Sequence, residues 1–219
     1  MISLVIEAST YAGTVAVIRD GIVVSERDTA MRGEREERLM PAVADALTEA
    51  GVAPNAIDRV VCGAGPGSFT SLRIAGAIGK GLALTARVPL YPVSSLLLII
   101  AGARPELGPG RYIAVLDAMR GDVFAAAFSA TESAITAESA TMIVPRAELD
   151  TFARAHSART VGPSEALAVS PHARGVVTLG TRAPWPPAAD LATWEPDYGR
   201  LAEAQVRWEA AHGRALMPR

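Results

Sequence analysis

A chain of 219 residues, half of them hydrophobic and 20% charged, fits one large domain or two small ones. Such a chain hides roughly 70% of its unfolded surface, so a sizeable core is assured. The formal net charge of -2 excludes a basic field that would attract nucleic acid by itself, and any RNA contact is expected to lean on a partner. The single cysteine, Cys62, excludes an internal disulfide and suits a reducing compartment. Met1 to Ile6 meets an acid at Glu7 and lacks signal-peptide character. The longest apolar run, Leu96 to Ala101, falls far short of the ~20 residues that span a bilayer. A soluble, cytoplasmic protein is expected.

Ile2 to Ala8 is rich in β-branched residues and reads as a buried strand. Thr14 to Ile18 and Ile22 to Ser25 read as two more, joined by Asp20-Gly21, whose residues both tolerate positive φ. Glu34 to Ala50 reads as a helix, with Leu39, Val43, Leu47 and Ala50 on one face and Gly51 as its C-terminal stop. Pro41 implies a kink there, or a helix that begins just before it. Arg59 to Cys62 is a fourth strand, followed by a glycine segment and a helix over about Ser71 to Ala86. Pro89 and Pro92 bracket an extended piece before a helix at about Ser94 to Ala103.

Gly108-Pro109-Gly110 marks the internal boundary, giving expected subdomains 1–104 and 111–219. Tyr112 to Leu116 and Val123 to Phe128 read as strands around a turn at Arg120-Gly121-Asp122. The order of elements hints at a structural duplication, although the two halves share no visible sequence similarity. Beyond Thr131 the signals weaken. Arg146 to His156 reads as a helix, Pro184 to Pro187 as a rigid turn, and Leu201 to His212 as a last helix that could pack back on the first subdomain.

The segment Gly63-Ala-Gly-Pro-Gly-Ser68 leads from a strand into a helix, which brings bare backbone and free N–H groups to the mouth of a sheet. Ser68, Thr70 or Ser71 could cap that helix. The segment is either a phosphate cradle or simply a tight strand-to-helix turn. It lacks the spacing of a Walker A loop, of a dinucleotide fingerprint and of a nucleophile elbow. The helix after it holds Gly76, Gly79 and Gly81, at a cost of about 0.8–1 kcal/mol each relative to alanine. Ala75, Gly79 and Ala83 form a smooth strip beside Ile78 and Leu82. That strip serves either packing on the protein's own sheet, the favoured reading for Ile78 and Leu82, or close approach of another subunit, the reading for the small residues.

The stretch Gly65-Pro-Gly-Ser-Phe-Thr-Ser-Leu-Arg-Ile74 closely resembles the TsaB (YeaZ) family pattern Gly-Pro-Gly-Ser-Phe-Thr-Gly-Val-Arg-Ile. Glu7-Ala-Ser-Thr10 is similar to its Asp-Thr-Ser-Thr, Arg38-Leu-Met-Pro41 to its Arg-Ile-Leu-Pro, and Val93-Ser-Ser-Leu96 to its Val-Ser-Thr-Leu. Asp117 to Val123 and Pro196-Asp-Tyr198 also resemble family segments. Glu7, Arg35 and Ser71 depart from the usual Asp, His and Gly, and Met119-Arg120 exchanges the position of an arginine.

The resemblance implies an α/β, actin-like (ribonuclease H-like) fold with two small subdomains. It also implies a role in making threonylcarbamoyladenosine beside the tRNA anticodon, as a non-catalytic partner of the larger, metal-bearing paralogue TsaD. A small ATPase, TsaE, would join the assembly, tRNA would be met only indirectly, and a homodimer could form in isolation. The subunit contact would be built from the first two helices, through Arg35, Leu39, Val43, Leu47, Leu72, Ala75, Gly76, Gly79 and Ala83. Nucleotide- or phosphate-facing positions would be Glu7, Ser9, Thr10, Gly65, Pro66, Gly67, Ser68 and Asp117.

No catalytic residue and no metal site are expected. His156, His172 and His212 form no helical H-x-x-x-H pair and read as lone surface histidines. Asp117 and Asp122 could be paired carboxylates, but a turn aspartate and a strand-end aspartate are the favoured account. No cofactor is expected to be required, with ATP or ADP conceivable at a joint interface. The competing readings are a stand-alone actin-like ATPase or small-molecule kinase using Glu7 and Asp117, and a peptidase, for which no nucleophile triad is visible.

Overall fold

The computed structural model describes residues 1–33, 36–103, 107–182, 186–200, 208 and 211–213. The first half opens with β1 (Ile2–Glu7), β2 (Ala12–Arg19) and β3 (Ile22–Ala30), three antiparallel strands. Asp20 and Gly21 make the β2–β3 turn with φ of 53° and 81°, the positive values that their sequence signalled. α1 (Leu39–Glu49) follows, and its first N–H groups are accepted by the Glu37 carboxylate. Pro41 is the third residue of this helix, where a missing N–H costs nothing, so the helix starts just before the proline and does not kink. β4 (Arg59–Gly63), α2 (Phe69–Ala86), β5 (Leu90–Val93) and α3 (Ser95–Gly102) complete the half, and the sheet order is β3-β2-β1-β4-β5.

The second half repeats that plan. β6 (Gly110–Asp117) and β7 (Asp122–Ala130) pair antiparallel, and β8 (Ile135–Ala137) and β9 (Met142–Pro145) both pair with β7. After α4 (Leu149–Ala155), β10 (Arg159–Gly162) joins β6 in parallel and β11 (Leu167–Ala168) joins β10. α5 (Gly175–Arg182) follows. In each half an antiparallel group is extended by two parallel strands, through helical crossovers in the first half and through α4 and then a short turn in the second. This repeated strand order matches the duplication hinted at by element order. Glu34, Arg35, 183–185 and most of the expected helix 201–212 lie outside the described residues; His212 is helical.

Alternation along the strands decides the layers. In β1, Leu4 and Ile6 join Val15, Val17 and the inner faces of α1 and α2, while Val5 faces the other way with Ala16, Ile18 and Val61. That second face meets α3, whose Leu96, Leu98, Ile99 and Ile100 are fully buried. Tyr112, Ala114 and Leu116 of β6 enclose α3 from the far side, together with Val176 and Leu179 of α5. Ile113 and Val115 point out to Leu149 and Ala153 of α4. The layering is helix, sheet, helix, sheet, helix, that of the actin-like fold.

The segment 186–200 crosses back over the first half. Ala189 N–H donates to Leu90 O at 2.8 Å, the Lys80 ammonium to Trp194 O at 2.9 Å, and Asp197 N–H to Ala64 O at 2.7 Å. Its far end reaches the second half, where Arg200 pairs with Asp122 at the start of β7.

Candidate functional site

The glycine segment lies at the carboxyl end of β4, where parallel strands open a crevice. Two of its glycines are demanded by close approach. A Cβ at Gly63 would stand 1.8 Å from Glu7 Oε2, and one at Gly67 would stand 2.2 Å from Ser9 O. Much of the segment's backbone is spent inside the protein. Ala64 N–H donates to Val93 O (2.7 Å), Gly65 N–H to Ser95 Oγ (3.2 Å) and Ser68 N–H to Ser9 O (2.7 Å).

Glu7 is fully buried behind this loop. Its carboxylate accepts Ser9 N–H at 2.6 Å and the Ser95 hydroxyl at 2.9 Å. Burial pushes its pKa above the usual carboxylate value, and the bonds from Ser9 and Ser95 oppose that rise. The side chain ties β1 to α3 and the loop, and does not reach solvent.

In front of the loop lies a cleft of about 880 Å³ between the two sheets. Its first wall is Ser9, Thr10 and Tyr11 after β1, with Gly67 to Thr70 at the start of α2. The second wall is Val115 to Arg120 at the end of β6, with Phe124 and Ile143. Arg146 and Glu165 close it as an ion pair, and Tyr198 and Arg200 close it from the returning segment. The Tyr198 ring sits 4.6 Å from Phe69. Asp117 Oδ1 accepts Met119 N–H at 2.8 Å, and Asp122 pairs with Arg200, so both aspartates serve their turn and strand end.

Of the positions expected to face a phosphate, Ser9, Thr10, Gly67, Ser68 and Asp117 wall the cleft. Glu7, Gly65 and Pro66 do not, because all three are buried beneath its floor. The interface expectation needs a larger correction. Leu39, Val43, Leu47, Leu72, Ala75, Gly76, Gly79 and Ala83 are buried within the chain. A Cβ at Gly79 would meet Leu90 and Cys62, and one at Gly76 would meet Pro196 of the returning segment. The small-residue strip lets α2 lie close on its own sheet, and Ile78 and Leu82, not the strip, are half exposed. Arg35 lies outside the described residues.

Sequence reasoning missed Tyr11, Phe69, Phe124, Ile143, Arg146 and Glu165. Tyr11 and Phe69 adjoin or lie within the motifs already singled out, which could have found them, whereas nothing local marks Phe124, Ile143, Arg146 and Glu165, which join the site only when the two sheets face each other. Among the described residues no three His, Cys, Asp or Glu side chains group as metal ligands, and no helix is long and apolar enough to cross a membrane.

Comparison with known proteins adds the family context. Residues 30–171 match the family described as TsaD: tRNA N6-adenosine threonylcarbamoyltransferase. The chain is 38% identical over 132 residues to the tRNA threonylcarbamoyladenosine biosynthesis protein TsaB of Escherichia coli K12, covering 60% of this chain and 57% of that protein. It is 34% identical over 124 residues to the Bacillus subtilis TsaB, covering 57% of this chain and 53% of that protein. The chain thus spans little more than half the length of these curated relatives. A crystal structure of an uncharacterized protein with similarity to peptidase YEAZ, from Pseudomonas aeruginosa, superposes with a TM-score of 0.76 at 26% identity, covering 91% of this chain and 99% of that one. A second structure, YeaZ from the same organism, gives 0.68 at 28% identity over 82% and 90% of the two chains.

Proposed function

Because this chain belongs to the TsaB (YeaZ) family of tRNA threonylcarbamoyladenosine biosynthesis proteins, we propose that it serves that modification as a non-catalytic subunit that binds and activates a TsaD paralogue. The observation that carries the docking role is the outward face of α1 and α2. Met40 is 43% exposed and Leu84 60% exposed, with Ala44, Ala77 and Gly81 also at the surface and Ile74 and Ile78 half exposed. Exposed apolar residues of this kind on two neighbouring helices fit a protein contact. It uses the same two helices as the family resemblance, but the opposite sides of them.

The non-catalytic reading is supported by how the acids in and behind the cleft are employed. Glu7 is sealed behind the loop, Asp117 caps a turn, and Asp122 and Glu165 are paired with arginines. An actin-like ATPase or kinase would need such groups for a metal-bound nucleotide. In this reading TsaE joins the assembly, and tRNA is contacted mainly through the partner, in keeping with the net charge of -2.

The test is co-purification with the TsaD of the same cell, comparing the native chain with Leu84→Asp and Ala77→Asp. Both substitutions lie on the surface, so circular dichroism should stay native while association falls at least about tenfold. Undiminished association of both variants would overturn the docking face. ATP turnover by the isolated chain, lost in Asp117→Ala, would favour the stand-alone enzyme.

A further inference from the structure

Besides the core around α3, the two halves are tied at both edges of the first sheet. At the β5 edge the tie is the returning segment, through Ala189 and Arg200. At the β3 edge it is the stretch His172-Ala-Arg174, which leads into α5. Each of its three residues reaches the first half. His172 Nε2 lies 3.3 Å from Asp28 Oδ1, Ala173 N–H donates to the Thr14 hydroxyl at 2.9 Å, and Arg174 Nη1 lies 3.4 Å from Glu26 Oε1. Glu26 and Asp28 stand two apart on β3 and so share the face that receives this stretch. Thr14 pairs with Glu7 on one side and with Asp28 on the other, which places the contact level with the floor of the cleft.

His172, expected as a surface histidine, is largely enclosed, with its side chain 12% exposed. A Cβ at Gly102 would stand 3.2 Å from His172 Cβ, so the residue is wedged against the end of α3. Both ring nitrogens are employed. Nδ1 accepts the Arg174 backbone N–H at 3.2 Å, and Nε2 faces the Asp28 carboxylate. These partners fit the neutral tautomer that carries its proton on Nε2. A second proton can go only to Nδ1, where it replaces an acceptor by a donor aimed at another donor.

The charges around the ring act in both directions. Burial holds the imidazole below its ordinary value and the Arg174 guanidinium adds to that, while Asp28 and Glu26 oppose it. The other neighbours, Thr14 of β2 and Gly102 of α3, carry no charge. We propose that residues 172–174 form an acid-released latch between the two halves, closed while His172 is neutral and opened when Nδ1 takes up a proton. The stability of the closed latch is complete above the ordinary histidine value of 6.5 and is lost as pH falls through the lower folded value. The proposal is independent of the partner-subunit reading, because it concerns the β3 edge and not the outward faces of α1 and α2.

The test follows amide hydrogen exchange of the full chain by NMR from about pH 7.5 to about pH 5, with each rate expressed as protection relative to the intrinsic rate at that pH. Ala173 N–H reports the latch, and Ala189 N–H, bonded to Leu90 at the opposite edge, is the internal control. Ala173 protection should fall severalfold over this range while that of Ala189 holds. His172→Asn keeps an acceptor for the Arg174 N–H but does not titrate, so its Ala173 protection should stay level. Asp28→Asn, at an exposed side chain, removes the attraction that favours the charged ring and should deepen the fall. Loss of a merely structural contact would instead lower protection equally at both ends of the range. Level Ala173 protection in the native chain, an equal fall in His172→Asn, an equal fall at Ala189, or a fall no deeper in Asp28→Asn would each overturn the proposal.

Discussion

Replacing Gly79 by leucine should weaken the fold itself, whereas the same change two residues on, at Gly81, should strengthen it. Both glycines lie inside α2, and each gives up about 0.8–1 kcal/mol of helix propensity relative to alanine. At Gly81 a Cβ would meet nothing within 4 Å. Gly81→Ala should therefore recover most of that amount, a rise in Tm of about 2–4 °C for a chain of this size. At Gly79 a Cβ already stands 3.3 Å from Leu90 Cδ1 and 3.6 Å from Cys62 Sγ, and both neighbours are fully buried. The remaining three carbons of a leucine have no space unless α2 lifts from β4 and β5. Overpacking of that kind costs typically 1–3 kcal/mol and here exceeds the propensity gain, so Tm should fall by several degrees, about 4–8 °C at the upper end. Thermal unfolding followed by circular dichroism, with Gly81→Leu as the surface control, measures the contrast. Equal midpoints for the two leucine variants would refute the packing of this strip on its own sheet.

Glu7 offers a pH test. Its folded pKa lies above the unfolded value of 4.5, so the native state keeps a proton that the unfolded chain has lost. The stability this contributes is complete below pH 4.5 and declines as pH rises through the folded pKa. Glu7→Gln cannot titrate, so the native-minus-variant difference in unfolding free energy should fall over that window; a difference that stays constant from about pH 4 to about pH 8 would contradict the burial argument. Burial and the nearby Glu7 carboxyl also push the Cys62 thiol far above its ordinary range. A thiol reagent should label Cys62 only after denaturation, and full labelling in native buffer within minutes would count against the packing of β4.

Much of the first half was legible because its signals are local. Asp20-Gly21 named its turn, and the pattern from Leu39 to Leu47 named a helix face. The side on which that face lies was not legible. A strip of Ala75, Gly79 and Ala83 reports only that something comes close, and the same residues fit a sheet or a foreign helix. Glu7 misled for a related reason: a carboxylate at a strand end reads as a site residue, and its enclosure depends on Ser95, 88 positions away. The cleft pairs Arg146–Glu165 and Arg200–Asp122 span 19 and 78 positions, beyond any local pattern. Strands β8 to β11 have two to four residues each, too few to establish a period.

The returning segment bears on how the chain is made as well as on how it is held. β5 is the outer strand of the first sheet, and Ala189 bonds to its Leu90 from about a hundred residues downstream. During synthesis the first sheet can assemble from residues 2 to 93 well before that segment leaves the ribosome. In the interval β5 is an open edge, the kind of surface on which nascent chains pair with one another. The arrival of residues 186–200 thus acts as a seal, and the hazard of self-association is greatest just before it.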